Sequence, residues 1–259
     1  AEEIPVETVE EIQEQSPTIS DGKNYFDLVV SIANTGSIDE TDIITATNET
    51  FISATSLIDE NPYDNDELTV TATDDITDVP TISGIETINF TTAATSLGGD
   101  LEFDVNLLNI SGSDLINFEN TNTSSAVVTL DITNVASALS LGSHFTTAKL
   151  AAQDNSDLVV ELSSDMTLST TGNSQNLTVN ASGKNVTLAS STTAGTISIS
   201  NADVVDINTI STGNNLTIVA NGNVSVNDTS QLQGNINIRS GGTIDITNAT
   251  AATGTLTLS

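Results

Sequence analysis

Eight aspartates near the start of the chain have the chemistry to hold a divalent cation: Asp39, Asp42, Asp59, Asp64, Asp66, Asp74, Asp75 and Asp78. They fall into three groups with turn-forming neighbours. Asp39-Glu40-Thr41-Asp42 has Asn48 and Glu49 close behind. Asp59-Glu60-Asn61 runs on to Asp64-Asn65-Asp66-Glu67, and Asp74, Asp75 and Asp78 form the third group. Calcium takes about six to eight oxygen ligands from carboxylates, amides and turn carbonyls. The stretch from Asp59 to Glu67 offers such oxygens, although its spacing is not that of an EF-hand loop and it lacks the central glycine. A solvated acidic surface would account for the same residues without an ion. Against that, so many like charges repel in a compact fold unless something neutralises them. Calcium is therefore the expected cofactor.

Other chemistry is thin. The one histidine, His144, sits in Leu141-Gly142-Ser143-His144-Phe145, a turn-like setting, and there is no cysteine to form a thiolate or a disulfide. Paired carboxylates cleave glycosidic bonds in some enzymes, and Asp203 and Asp206 are the nearest candidates. Asp206, however, takes an outward place in its strand, and neither has a basic residue close in sequence. A non-enzymatic protein is expected.

The net charge is −31, with Lys23, Lys149, Lys184 and Arg239 as the only basic residues. Such a chain repels phosphate backbones and anionic headgroups, which argues against nucleic-acid and membrane-surface binding. No apolar run is long enough for a transmembrane helix, so membrane insertion is not expected. The chain begins at Ala1 without a visible leader. A cleaved leader, a fragment or a C-terminal secretion signal would each fit that start. An extracellular, cell-surface location is expected. Without disulfides, such a protein must be held by a long hydrogen-bonded ladder or by metal ions.

The elements that would position the acids follow from composition. Thr, Asn, Ser, Ile, Val and Leu dominate, and aromatics make up only 3%. This β-branched richness favours strands. All four prolines (Pro5, Pro17, Pro62 and Pro80) lie in the first 80 residues, and their absence afterwards suits an uninterrupted sheet. Three zones result. Residues 1–20 read as an acidic tail or a docking strand. Residues 21–80 read as an acidic, calcium-binding β segment, with strands at Phe26–Ile32 and Leu68–Thr71. Residues 81–259 read as parallel β-helix, with clear coils from about 139. An internal echo sets Ser83-Gly84-Ile85-Glu86-Thr87-Ile88-Asn89-Phe90 against Ser111-Gly112-Ser113-Asp114-Leu115-Ile116-Asn117-Phe118.

The strongest signal is a pair of interleaved series of apolar-polar-apolar triplets. One series begins at Leu139, Leu158, Leu177, Ile197, Leu216, Ile236 and Leu256; the other begins at Met166, Val186, Val205, Val224 and Ile244. Both advance 19 or 20 residues per step. Turn sequences such as Ser182-Gly183-Lys184 and Asn221-Gly222-Asn223 fall between them. Two registers locked to one period predict a coil with two short strands and two turns, each coil burying its apolar face against the next. The expected fold is all-β: a right-handed parallel β-helix (solenoid), the usual hand of parallel crossovers, with an acidic N-terminal β segment. An antiparallel sandwich with regular hairpins is the alternative. The chain stops at Leu256-Thr257-Leu258-Ser259, inside a triplet, which suggests either continuation or pairing with another molecule.

Residues 41–90 resemble the calcium-dependent surface-layer proteins that Gram-negative bacteria secrete by the type I route. The resemblance is carried by Thr41-Asp42-Ile43-Ile44-Thr45-Ala46-Thr47-Asn48-Glu49-Thr50-Phe51, by Asn65-Asp66-Glu67-Leu68, and most specifically by Ile82-Ser83-Gly84-Ile85-Glu86-Thr87-Ile88-Asn89-Phe90-Thr91. It covers about a fifth of the chain, and Asn61-Pro62-Tyr63-Asp64 stands where that family has glycine-rich calcium repeats. It implies an all-β, lattice-forming domain whose calcium ions hold strands and subunits together. The later coils are similar to those of filamentous-haemagglutinin-type adhesins, as in Asn215-Leu216-Thr217-Ile218-Val219-Ala220-Asn221-Gly222. The expected function is a structural protein that self-assembles into a surface lattice or filament, with further copies of itself and cell-surface glycan as partners. An adhesin or matrix stalk, and a polysaccharide-binding or polysaccharide-cleaving β-helix, are the alternatives.

Overall fold

The computed structural model describes residues 25–27, 34–35, 42–54, 56–59, 65–92, 101–121, 128–153, 155–172, 174–210, 215–228, 231–247 and 254–259. Among these residues the only helix is Asn48–Ser53; everything else regular is strand. Thr47 caps that helix with a reciprocal pair of bonds to Thr50, which satisfies two of its otherwise orphaned amides. All the strand pairings are parallel. The chain is a parallel β-solenoid, and among the described residues no neighbouring strands run in opposite directions as a sandwich would require. The expected docking strand at 1–20 lies outside the described residues.

One sheet carries twelve strands in chain order, from Tyr25–Asp27 through Ile43–Thr47, Glu67–Ala72, Thr87–Thr92 and Leu115–Asn120 to Leu256–Leu258. At the usual spacing of about 4.8 Å, this ladder is about 50 Å long. It takes in acidic and regular coils alike. A second sheet of eight strands runs from Leu101–Asn106 to Ile244–Ile246. A short third sheet holds Asn34–Thr35, Ser56–Ile58, Thr81–Ser83 and Ile110–Ser111. Early coils therefore close through the short sheet and later coils through the eight-stranded one. The stretch between Thr87–Thr92 and Leu115–Asn120 contributes a strand to each.

Strand alternation points every second side chain inward. The core is a set of like residues stacked coil on coil. Met166, Val186, Val205, Val224 and Ile244 form one column in the expected register. Leu158, Leu177, Ile197, Leu216 and Ile236 form another, and the exposed Leu256 stacks on its end. Leu139 is a correction: it pairs with Val160, not Leu158. Leu158 and Val160 both face inward, so a two-residue shift keeps the apolar face buried, and alternation alone cannot choose between them.

The internal echo is a direct stack. Ser83 lies on Ser111, Ile88 on Ile116, Asn89 on Asn117 and Phe90 on Phe118. The Phe90 and Phe118 rings stack 5.1 Å apart, and Phe51 meets Phe90 edge-on at 5.8 Å. Outside, Asn117 Nδ2 donates to Asn89 Oδ1 at 2.7 Å, and Asn89 Nδ2 donates to Glu67 Oε1 at 2.7 Å. Gly84 and Gly112 share φ of +77°, and a Cβ on Gly84 would sit 2.3 Å from the Asp59 carbonyl oxygen. Both conformation and space demand glycine there.

Candidate cation site

Alternation in Leu101–Asn106 buries Phe103 and Val105 and turns Glu102 and Asp104 outward. Parallel register then stacks Asp104 on Asp131, and Asp131 on Lys149, in three successive strands of the second sheet. Carboxylate oxygens of Glu102, Asp104 and Asp131 all lie within 4.8 Å of one another. Lys149 is the counter-ion: its Nζ bonds Glu102 and lies 3.7 Å from Asp131. A fourth acid, Asp75, stands beside the group, and its Oδ1 accepts the Asp104 amide at 3.0 Å.

The electrostatics follow from this crowding. Partial burial pushes the Asp104 carboxyl above its ordinary value; the charges of Asp75, Glu102 and Asp131 push it the same way, and Lys149 opposes them. One Asp104 oxygen, Oδ1, is buried without a hydrogen-bond partner. The Glu102 hydrogen bond raises Lys149, helped by the neighbouring carboxylates. Four carboxylates around one ammonium leave a negative surplus that a cation could offset, although Lys149 occupies part of the same space. Three clustered carboxylates supply about half of a calcium coordination shell.

A second acidic feature runs along the turn that leads into the long sheet. Asp42, Asp66, Glu86 and Asp114 each immediately precede one of four successive strand registers. The Asp42 amide donates to Asp66 Oδ1 at 2.7 Å, and the Asp66 amide donates to Glu86 Oε2 at 2.8 Å. Asp42 and Asp66 are each only 2% exposed. A carboxylate that accepts backbone amides is partly satisfied without a counter-ion, but stacked carboxylates still repel along the column.

The expected calcium ligands are thus dispersed. Asp42 and Asp66 join the acidic column. Asp59 is buried at the end of Ser56–Ile58, beneath Gly84. Asp74, Asp75 and Asp78 are exposed after Glu67–Ala72, and of these Asp75 reaches the Glu102 cluster. Asp39 and Asp64 lie outside the described residues. Glu86, Glu102, Asp104 and Asp131 were not singled out from the sequence. For Glu102, Asp104 and Asp131 the usable signal was an outward place in Leu101-Glu102-Phe103-Asp104-Val105 and Leu130-Asp131-Ile132. His144 is an exposed turn residue with φ of +70°. Asp206 is on an outward position, and its Oδ1 accepts from Asn227 Nδ2. Among the described residues, no helix is long and apolar enough to cross a membrane. Comparison with known proteins returned no matching family model, curated sequence or solved structure.

Proposed function

We propose that this chain is a structural extracellular surface protein that self-assembles into a lattice or filament and is stabilised by calcium. The observation that carries this reading is the single parallel ladder of twelve strands, which makes a rod with a repeated lateral surface. A rod of this kind repeats the same strand spacing at each level, the arrangement that repeated side-by-side association needs. The charge supports the calcium part. With 35 acids against four bases, rods would repel one another unless a multivalent cation screened or bridged them. The Asp42–Asp66–Glu86–Asp114 column and the Glu102–Asp104–Asp131 group are the places on the rod where such an ion would relieve most repulsion.

Negative-stain imaging of the purified protein, with millimolar calcium and then with excess chelator, tests the reading. Sheets or filaments that dissolve in chelator are the expected result. Assemblies that persist unchanged in chelator reject the calcium part. Single rods under both conditions reject self-assembly and favour the adhesin or matrix stalk, a reading supported by the regular spacing of the later coils. A glycan array or lyase assay addresses the polysaccharide alternative.

A further inference from the structure

The regular coils contain one buried polar feature that their apolar pattern does not require. Thr170, Ser174, Ser191 and Thr193 are each at most 1% exposed. The Thr170 and Ser191 hydroxyls lie 2.9 Å apart. Ser191 Oγ donates to Thr193 Oγ1 at 3.0 Å, and Ser174 Oγ donates to Thr193 Oγ1 at 2.9 Å. Since the Ser191 proton is used on Thr193, Thr170 must be the donor to Ser191. Thr170 Oγ1 in turn accepts the Thr192 amide at 3.3 Å. The chain of hydroxyls is thereby directional and mutually satisfied.

Its place in the stack gives it a use. Thr170 rests on Leu150 below, and Ser191 pairs with Ile210 above. The inward column therefore reads Leu150, Thr170, Ser191, Ile210: two hydroxyls that face each other between two aliphatic residues. The neighbouring columns cannot tell one register from the next. Leu177, Ile197, Leu216 and Ile236 are interchangeable branched aliphatics, as are Val186, Val205 and Val224. A two-residue slip of one strand along its neighbour would keep those columns apolar at little cost, as the pairing of Leu139 with Val160 shows. The same slip between Met166–Thr171 and Val186–Ser190 would set Thr170 against Leu188 and leave buried hydroxyls without partners, which is strongly unfavourable.

We propose that the Thr170–Ser191–Thr193–Ser174 network is a register key, a conformational device that fixes the register in which its two coils stack. It acts by rejecting slipped stacks more than by stabilising the correct one, as single buried polar residues do when they fix register in coiled coils. It does not depend on the calcium or assembly reading.

The test compares refolded proteins by hydrogen exchange and mass spectrometry over peptides covering 158–207. The apolar variant Thr170→Val/Ser174→Ala/Ser191→Ala/Thr193→Val should retain a thermal midpoint close to that of the parent. After refolding it should show bimodal exchange, with at least two protection patterns. The parent should show one. The hydroxyl-preserving exchange Thr170→Ser/Ser191→Thr should also show one. A single, parent-like pattern in the apolar variant would overturn the proposal, as would mixed patterns in the hydroxyl-preserving variant. If the fourfold variant does not fold, Thr170→Val/Ser191→Ala is judged by the same criterion.

Discussion

The two ends of the long sheet solve one problem with different chemistry. In the early coils, the turn before each strand carries Asp42, Asp66, Glu86 and Asp114. In the later coils, the residue before each apolar-polar-apolar triplet is Asp157, then Asn176, Thr196, Asn215, Asn235 and Thr255, one position upstream of the acidic column's register. Both columns use a side-chain oxygen to accept an amide from a neighbouring coil. Asp66 Oδ1 accepts from Asp42, and Asn176 Oδ1 accepts from Thr196 at 2.9 Å. Asn215 and Asn235 continue the later ladder by accepting from Asn235 and Thr255. A parallel line repeats the device on the second sheet, where Asp165 Oδ1 accepts from Asn185 and Asn223 Oδ1 from Thr243. Amides and hydroxyls can be repeated indefinitely because they carry no charge. Carboxylates serve the same geometric purpose but accumulate repulsion, so the acidic end depends on its ionic surroundings and the amide end does not.

The largest effect should come from the turns themselves. Gly84→Ala forces a left-handed backbone on a Cβ that meets the Asp59 carbonyl, and should cost about 3 kcal/mol. Gly183 has the same left-handed conformation, at φ of +80°, but open space around its Cβ position. Gly183→Ala should cost only about 1 kcal/mol, and paired urea titrations would show the difference. Equal losses would mean that crowding in the early turns has no energetic weight.

Converting the later column to the earlier kind is the next test. Asn176→Asp/Asn215→Asp/Asn235→Asp keeps an acceptor at each level and adds stacked charge. It should lower stability by about 2 kcal/mol at low salt, with much of the loss recovered in high salt. A salt-independent loss would point to broken hydrogen bonds instead.

The reverse substitution, Asp66→Asn, keeps an oxygen for the Asp42 amide and removes one charge. On the proposed function, it should at least halve the drop in melting temperature that chelator causes. An undiminished response would place the calcium-sensitive site elsewhere.

The smallest effect concerns Asp104. Its carboxyl is raised in the folded chain, so the folded state binds a proton more tightly than the unfolded chain does. Its contribution is therefore favourable at acid pH, fully so below the unfolded value, and is lost as pH rises through the raised folded value. Asp104→Asn should raise the melting temperature at neutral pH by about 1–2 °C and have no such effect near pH 3, a modest gain because the group is only partly buried.

Much of the fold was legible because its signal is periodic. Val186, Val205 and Val224 announce a coil, and nothing in their setting competes with that reading. Leu139 was misaligned because Leu158 and Val160 serve the inward face equally well. The candidate site was harder to find. Asp104 and Asp131 meet only because an irregular early coil places them one above the other, and Asp75 reaches them across another irregular turn. No fixed period connects them. Thr170 is a case of two rules in conflict. Alternation after Met166 and Leu168 places it inside, while its hydroxyl argues for outside; the structure follows alternation and supplies Ser191 as its partner.

The stacked ladder also has a mechanical consequence. Each strand of the long sheet is bonded only to the coil before it and the coil after it. Tension applied at the two termini should peel the rod from an end, one coil at a time, and not rupture it all at once. Each release of about twenty residues would pay out about 65 Å of extended chain. In a force-extension trace this would appear as a sawtooth, the response of an extensible tether that absorbs a pull by yielding in steps.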